Sequence, residues 1–431
     1  MKCSNDSLQL IIMNNISTMF RIQKVNIIVF LFPILFSFIA HKSFAQIANQ
    51  MFDAGEVKMN AKDFNGAITE FTKVIKKVDN FYEAYIDRGK CYYALKKNNE
   101  AIADFTKALS IKKDCSPAFY YRALVYSDIG KDKEALSDLD NAIKYKPSYM
   151  EAFIKRASIE EKLKKYLAAY NDYSKAIELD DKNADAYYHR GLVCILISKP
   201  NDAIIDFTKA IQLNTTNANA YFQRGMLYDN NAKYKEAIAD YTKCIELKLV
   251  NKEVFTKRAY SNYNAKEYLA AIADFIKLVT EYKQKDNDLF LKRGLCYMFS
   301  LKYNEAIKDF TKVLTTEPKN IAALLNRAFA YEQLKKSAMA MFDYNKILLL
   351  DSKNAEAYYK RGNIYYNQKK YDQALEDLSN SINIKSSADA YYIRGLVYEN
   401  TNKIPEACLD FKAAAALGHK EANKIVDKYC Y

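Results

Sequence analysis

An Arg followed by Gly or Ala recurs through this chain with an almost constant spacing. The first six pairs are 34 residues apart, and the later steps are 35, 34, 34 and 33 residues. The pairs begin at Arg88, Arg122, Arg156, Arg190, Arg224, Arg258, Arg293, Arg327, Arg361 and Arg394. Extended backwards, the period reaches Ala54-Gly55, which gives eleven repeats from Ala48 to about Glu421. A period of this length predicts one small structural unit stacked many times.

Two further features recur in every repeat, which we number so that the small residue after Arg is position 8. Position 20 is always Ala: Ala67, Ala101, Ala135, Ala169, Ala203, Ala237, Ala271, Ala306, Ala340, Ala374 and Ala407. Position 24 is always large: Phe71, Phe105, Leu139, Tyr173, Phe207, Tyr241, Phe275, Phe310, Tyr344, Leu378 and Phe411. Small residues let two helices approach closely while a large residue fills the space opposite. The pattern therefore predicts a pair of packed helices in each repeat.

This pattern resembles the tetratricopeptide repeat, and the resemblance covers 374 of the 431 residues. It implies an all-α, right-handed superhelical solenoid of about eleven helix-turn-helix repeats over residues 46–421. The Pro that often ends a repeat of this family occurs here only as Pro147 and Pro318, so some turns depart from the family pattern. After Gly418, residues 422–431 are predicted to form an amphipathic helix that caps the apolar end of the stack.

The N-terminus has the features of a secretory signal peptide. An apolar run over 25–40 follows Arg21 and Lys24 and precedes the small-residue exit at Ala45. This predicts a signal peptide over 1–45 that is removed, with translation starting at Met19. A retained membrane anchor is the alternative, because the run is near the lower length limit for a span. The leader thus favours a periplasmic or secreted protein, with no stable membrane span after its removal.

Catalytic and metal-binding residues are scarce. The chain has three His and eight Cys, and no two Cys form a CxxC pair. We therefore expect no enzyme activity, no catalytic residue, no cofactor and no metal site. A disulfide framework is not expected either. Cys115 and Cys430 are predicted to be the exposed thiols.

The ten Arg beyond the leader all occupy position 7, and position 23 is acidic in every repeat. Each acid can pair with the Arg of its own repeat or with that of the next repeat. Pairing to the next repeat uses Glu70, whose own repeat has Ala54 in place of Arg, and it matches ten acids with ten Arg. We therefore predict partly buried ion pairs between repeats. They are Glu70 with Arg88, Asp104 with Arg122, Asp138 with Arg156, Asp172 with Arg190, Asp206 with Arg224, Asp240 with Arg258, Asp274 with Arg293, Asp309 with Arg327, Asp343 with Arg361, and Asp377 with Arg394.

The resemblance implies that positions 2, 5, 6, 9, 12 and 13 of the first helix in each repeat line a concave groove. Apolar and aromatic residues at these positions are the predicted partner-binding residues: Tyr188, Leu192, Ile195, Phe222, Met226, Tyr260, Tyr263 and Met298. The alternative is that these side chains only pack against the neighbouring helix. No repeat has Lys at position 5, so the carboxylate clamp known in this family is not predicted.

These features favour a non-enzymatic scaffold in the cell envelope that binds a peptide or helix of a partner protein in the groove. The alternative is a basic surface that binds an anionic polymer, either nucleic acid or polysaccharide, because the net charge is +13. Nucleic acid is the less favoured partner, since Lys and acidic residues are interspersed in every repeat.

Overall fold

The computed structural model of the chain describes residues 46–430, so the predicted signal peptide at 1–45 lies outside the described residues. Within 46–430 the structure contains 23 helices and no strand. The helices belong to two compact halves, residues 46–213 and 214–430. Consecutive helices pack in pairs, which we name helix A and helix B of a repeat. This is the all-α repeat solenoid that the period predicts.

The first half contains repeats 1 to 5. Their helices are α1 (46–60), α2 (Phe64–Lys77), α3 (Tyr82–Ala94), α4 (Asn98–Ile111), α5 (Ser116–Asp128), α6 (Asp132–Tyr145), α7 (Met150–Lys162), α8 (Tyr166–Leu179), α9 (Ala184–Leu196) and α10 (Pro200–Leu213).

The second half contains repeats 6 to 11 and one last helix. Their helices are α11 (Ala218–Asn230), α12 (Tyr234–Glu246), α13 (Lys252–Asn264), α14 (Tyr268–Thr280), α15 (Asn287–Phe299), α16 (Tyr303–Thr316), α17 (Ile321–Gln333), α18 (Ser337–Leu350), α19 (Ala355–Asn367), α20 (Tyr371–Ile384), α21 (Ala388–Asn400), α22 (Ile404–Ala416) and α23 (Lys420–Tyr429).

Helix A starts at position 1 of the repeat, and in five repeats an Asn fixes this start. The Asn side-chain oxygen accepts a hydrogen bond from the backbone N–H three residues later, which satisfies one of the free amides of the first turn. The capping residues are Asn183, Asn217, Asn251, Asn320 and Asn354. The sequence thus sets where helix A begins without the Pro that is common in the family.

The turn from helix A to helix B places position 15 in the left-handed region in all eleven repeats. Only Gly130 suits this backbone without strain, at φ 77°. The other ten positions carry side chains: Lys62, Lys96, Lys164, Ser198, Ala232, Lys266, Leu301, Lys335, Lys369 and Asn402. Each of these ten turns therefore stores a small conformational cost.

The small and large positions meet between helices A and B, as the sequence predicts. Every Ala at position 20 is at most 2% exposed. A Cβ added at Gly89 would lie 2.7 Å from the ring of Phe105, and at Gly294 it would lie 2.7 Å from the ring of Phe310. Positions 8 and 24 of one repeat thus touch, and glycine permits the closest approach.

The last helix, α23, packs on repeat 11. Ala422 is fully buried, and Ile425 and Val426 lie against the cluster formed by Ala407 and Phe411. The helix covers apolar surface of the final repeat. No helix within 46–430 combines the length and the apolar character that a membrane crossing requires.

The predicted state of the cysteines was wrong at two positions. Cys430 forms a disulfide with Cys408 of α22, with their Cα atoms 5.3 Å apart, and it is buried. Cys115 is a free thiol but is also buried. The two bonded Cys are 22 residues apart without a motif, and only the packing of α23 on α22 brings them together.

Candidate protein-binding surface

The candidate surface consists of positions 2, 5, 6, 9, 12 and 13 of the helices A, and we call it the helix A surface. In the first half α3 contacts α5 and α5 contacts α7, while in the second half α11 contacts α13, α15 contacts α17 and α19 contacts α21. Helices A of successive repeats therefore lie side by side, and these positions adjoin one another within each half.

Three predicted partner-binding residues, Tyr188, Leu192 and Ile195, belong to the first half, on α9. All three are partly buried. The ring of Tyr188 lies 5.9 Å from that of Phe207 on helix B of the same repeat and 5.3 Å from the ring of His189. Burial raises the pKa of Tyr188. Tyr188 therefore contributes to the packing of its repeat as well as to the surface.

The other five predicted residues belong to the second half, and they too are partly buried. The ring of Phe222 lies 5.9 Å from that of Tyr241, and Met226 packs in the same cluster. The ring of Tyr260 lies 5.5 Å from that of Phe275, and its hydroxyl donates a hydrogen bond to Asp288. At positions 5 and 9, the aromatic rings thus rest on the large residue at position 24.

Tyr263 and Met298 occupy position 12 of their repeats. The ring of Tyr263 lies 6.5 Å from that of Tyr268, and the ammonium of Lys292 lies 4.8 Å from its centroid. Met298 lines a cavity of about 420 Å³. These two residues are less tied to the core of their own repeat than Tyr188 or Tyr260.

The cavity beside Met298 is formed by repeats 8, 9 and 10. Its walls include Phe299, Leu325 and Phe329, and its rim carries Glu356 and Lys360. Phe299 is 51% exposed although its ring stacks on Tyr268 at 4.8 Å. The available sequence signal was Phe299 at position 13, where the neighbouring repeats have Asn264 and Gln333.

A second cavity, of about 540 Å³, lies on the helix A surface of the first half. Phe52, Tyr82 and Ile86 contribute apolar surface, and Glu83 and Lys112 contribute charge. None of the eight predicted partner-binding residues lines this cavity. The Lys112 ammonium lies 4.7 Å from the centroid of the Tyr82 ring.

Buried tyrosines at position 24 bind carboxylates at position 12, a relationship that sequence reasoning missed. Tyr173 donates to Glu161, Tyr241 to Asp229, and Tyr344 to Glu332. The three repeats with Tyr at position 24 all have an acid at position 12. Of the other eight repeats, seven have no acid at position 12. The pairing of Tyr with an acid twelve residues earlier was therefore readable from the sequence.

Exposed apolar residues also occur on a helix B. Met339, Phe342 and Leu349 of α18 are 49%, 64% and 86% exposed. This patch lies outside the helix A surface, and it is the natural comparison surface for any binding measurement.

The predicted partners of the Arg residues were wrong: each Arg binds the acid of its own repeat. Nε and Nη2 donate to the two carboxylate oxygens at 2.6–2.9 Å. The pairs are Arg88–Asp104, Arg122–Asp138, Arg156–Asp172, Arg190–Asp206, Arg224–Asp240, Arg258–Asp274, Arg293–Asp309, Arg327–Asp343, Arg361–Asp377 and Arg394–Asp410. Positions 7 and 23 face each other because helix B folds back antiparallel on helix A.

Glu70, which motivated the wrong pairing, is not stranded. It accepts hydrogen bonds from Lys58 and Lys73 of its own repeat, each at 2.9 Å. The hydrogen bond from Lys73, then that from Lys58, lowers the pKa of Glu70. A lysine at position 11 thus substitutes for the missing Arg in repeat 1.

The Arg residues do join neighbouring repeats, but through position 25. The remaining nitrogen, Nη1, donates to position 25 of the preceding repeat at Thr72, Thr106, Asp140, Ser174, Thr242, Thr311, Asn345 and Ser379. Position 25 before Arg293 is Ile276, which offers no acceptor. One guanidinium therefore ties two helices of its own repeat to a third helix.

These ion pairs are partly buried, and burial limits what they contribute to stability. The ten Asp partners are at most 6% exposed. Burial raises the pKa of Asp104 and Asp240 although an Arg is bound to each. Desolvation thus offsets much of the attraction, and the planar geometry of the pair fixes how the helices dock.

Within residues 46–430, no three His, Cys, Asp or Glu side chains are arranged to hold a metal ion.

Five segments match family models described as tetratricopeptide repeat: 82–115, 184–217, 218–251, 321–354 and 355–387. Each match starts at the first residue of a helix A, so the family pattern and the structural repeat share one register. The chain is a tetratricopeptide repeat protein.

Several solved structures are similar to parts of the chain. MamA is 25% identical over 38% of this chain and 96% of its own, with a TM-score of 0.36. YrrB, described as having an unusual peptide-binding site, is 20% identical over 43% of this chain and 96% of its own, with a TM-score of 0.40. The C-terminal part of a repeat protein from Cytophaga hutchinsonii is 18% identical over 71% of this chain and 97% of its own, with a TM-score of 0.41. No curated protein matches the chain.

Proposed function

We propose that this tetratricopeptide repeat protein is a non-enzymatic protein-protein interaction scaffold whose helix A surface binds a peptide or helix of a partner protein. The observation that carries the proposal is the cavity between repeats 8 and 10, with Phe299 half exposed at its edge. An aromatic side chain left in water beside an apolar cavity is typical of a surface that a partner covers.

We also propose that the chain works outside the cytoplasm, in the periplasm or beyond. The leader at 1–45 supports export. The disulfide between Cys408 and Cys430 supports the same proposal, because disulfides persist in oxidising compartments and are rare in the cytosol. The test is the intact mass of the protein purified from the native host. We expect the mass of a chain whose first residue is Gln46, and a cytoplasmic chain that retains Met1 would contradict the proposal.

The binding proposal is tested on a partner captured from envelope extract with residues 46–431 as bait. Phe299→Ala should weaken the partner affinity at least about tenfold, because truncation of an interface aromatic typically costs about 2 kcal/mol or more. The matched control is Phe342→Ala on α18, which removes a ring that is 64% exposed from a helix B. We expect it to change the affinity less than about twofold. A larger loss of affinity in Phe342→Ala than in Phe299→Ala would indicate that the partner binds to helices B.

Tyr188 and Tyr260 are poorer test positions than Phe299. Their rings pack on Phe207 and Phe275, so truncation removes core contacts together with surface. A loss of affinity in those variants has to be corrected for the accompanying loss of stability.

A further inference from the structure

The helix A surface has the opposite charge to the chain as a whole. The chain carries a formal charge of +13, yet this surface has eight acidic residues and three Lys in the first half, and seven and three in the second half. The acids are Asp53, Glu56, Glu83, Asp87, Asp128, Glu151, Glu161, Asp185, Asp229, Glu253, Asp288, Glu332, Glu356, Asp389 and Glu399. The lysines are Lys90, Lys155, Lys162, Lys257, Lys292 and Lys360. The excess positive charge therefore lies outside the helix A surface.

Helix electrostatics explains only part of this pattern. Seven of the acids occupy position 2, in the first turn of helix A, where a carboxylate interacts favourably with the helix N-terminus. Five others lie at positions 12 and 13, in the last turn, where the helix dipole disfavours negative charge. They are Asp128, Glu161, Asp229, Glu332 and Glu399. Their retention at an unfavourable position requires another reason.

Three of these carboxylates are held in place without being neutralised. The hydroxyls of Tyr173, Tyr241 and Tyr344 donate hydrogen bonds to Glu161, Asp229 and Glu332, respectively. A tyrosine hydroxyl is a neutral donor, so it fixes the direction of the carboxylate and leaves its charge. Among the described residues, none of the three acids forms an ion pair with Lys or Arg.

The cavity of the second half joins this negative charge to apolar walls. Tyr344, which holds Glu332, borders the cavity together with Phe299 and Phe329, and Glu356 lies at the rim. A Lys or Arg side chain combines an apolar stem with a charged head. The chain's own Lys360 shows such a fit, since its ammonium lies 5.5 Å from the centroid of the Phe329 ring.

Leu301 adds a separate observation at the same cavity. It lies in the left-handed region at φ 60° and is 72% exposed, whereas position 15 of the other repeats carries small or polar residues or Lys. A large apolar side chain that is both strained and exposed points to contact with a ligand.

We propose that the partner segment bound by the helix A surface is basic, with Lys or Arg side chains whose stems pack on Phe299 and Phe329 and whose heads approach Glu332 and Glu356. This inference rests on the proposed function and adds the chemistry of the partner. The complementary charges would also orient the segment and speed its association.

The test uses residues 46–431 and two labelled peptides that differ only in charge. One peptide contains Lys and Leu separated by Gly and Ser, and the other has Glu in place of each Lys. We expect the basic peptide to bind at least about tenfold more tightly, with an affinity that falls as salt is raised. The net charge of the chain alone would produce the opposite preference.

The charge variants locate the effect. Asp229→Asn/Glu332→Gln keeps acceptors for the tyrosine hydroxyls. It should weaken binding of the basic peptide at least about fivefold. The control is Glu236→Gln/Glu305→Gln, which removes the same charge from exposed positions of helices B and should change little.

Two outcomes would overturn these ideas in distinguishable ways. Equal or tighter binding of the acidic peptide, still lost in Phe299→Ala, would reject the basic partner and keep the helix A surface as the binding site. Binding of either peptide that is insensitive to both Phe299→Ala and the acid substitutions would reject the proposed function itself.

Discussion

Arg258 donates two parallel hydrogen bonds to Asp274, which follows it by sixteen residues in the same repeat, each with a length of 2.8 Å. Its third contact is with Thr242 of the preceding repeat, at 3.1 Å. Asp240, the acid of that preceding repeat, is bound by Arg224 instead. The guanidinium therefore acts first within a repeat and only then between repeats.

This geometry predicts the result of two double-mutant cycles in residues 46–431. Arg258→Ala and Asp274→Ala should couple by about 1 to 3 kcal/mol in the free energy of unfolding, because each single variant leaves a buried polar partner unpaired. Arg258→Ala and Asp240→Ala should be additive to within about 0.5 kcal/mol. Urea titrations give the four free energies. Strong coupling to Asp240 and none to Asp274 would contradict the observed pairing.

The left-handed turns predict a gain in stability from glycine. Lys164 has φ 60° and is exposed, so Lys164→Gly should relieve strain without loss of a core contact. We expect an increase in the free energy of unfolding of about 1 kcal/mol. Gly130→Ala makes the converse change in the equivalent turn, where Gly130 has φ 77°. It should lower the free energy of unfolding by a similar amount. Effects of equal sign in the two variants would show that backbone strain is not the cause.

The disulfide predicts a local effect at the C-terminus. Cys408→Ala/Cys430→Ala should release α23 from α22, because the closed loop of 22 residues no longer restrains the unfolded segment. The expected loss is about 3 kcal/mol, seen as faster amide hydrogen exchange in α23 and unchanged exchange in repeats 1 to 10. Reduction of the parent chain should reproduce this effect, while the variant should not respond to reductant. Unchanged exchange in α23 of the variant would mean that the packing of Ile425 and Val426 holds the helix alone.

Glu160 predicts a dependence of stability on pH. Burial, and then the nearby Asp172, raises the pKa of Glu160 from 4.5 to about 7. The folded chain therefore binds more protons than the unfolded chain between these two values, and its stability falls as pH rises through that window. Glu160→Gln removes this titration and should stabilise the chain by about 1 kcal/mol near pH 8, less than the full shift implies because solvent screens the partly exposed carboxyl.

The control for this pH effect is Glu134→Gln, on the exposed first turn of α6. It should leave the pH dependence unchanged. A Glu160→Gln chain whose unfolding midpoint follows the parent from pH 4 to pH 8 would show that Glu160 is not the responsible group.

The sequence was sufficient for the fold because its information is local and repeated. Ala at position 20 and a large residue at position 24 dictate how helix B packs on helix A, and the structure shows this at Ala101 and Phe105. The register of the repeats followed from the spacing of Arg-Gly and Arg-Ala, which places Arg at the middle of every helix A from repeat 2 onwards.

The partners of side chains were not predictable in the same way. Arg258 has one acid eighteen residues before it and another sixteen residues after it, and counting cannot distinguish the two. The direction of a side chain between packed helices decides between them. The cavity beside Phe299 likewise depends on Phe329 and Lys360 from two later repeats, so no single repeat contains its signal.

The most direct test of the binding surface is hydroxyl-radical footprinting of residues 46–431 with and without its captured partner. Met298 and Phe299 report on the helix A surface, while Met339 and Phe342 report on the exposed patch of α18 with the same two residue types. We predict that the partner lowers oxidation of Met298 and Phe299 at least about threefold and leaves Met339 and Phe342 unchanged. Protection of Met339 and Phe342 alone would contradict the proposal and would identify a helix B as the partner-binding face.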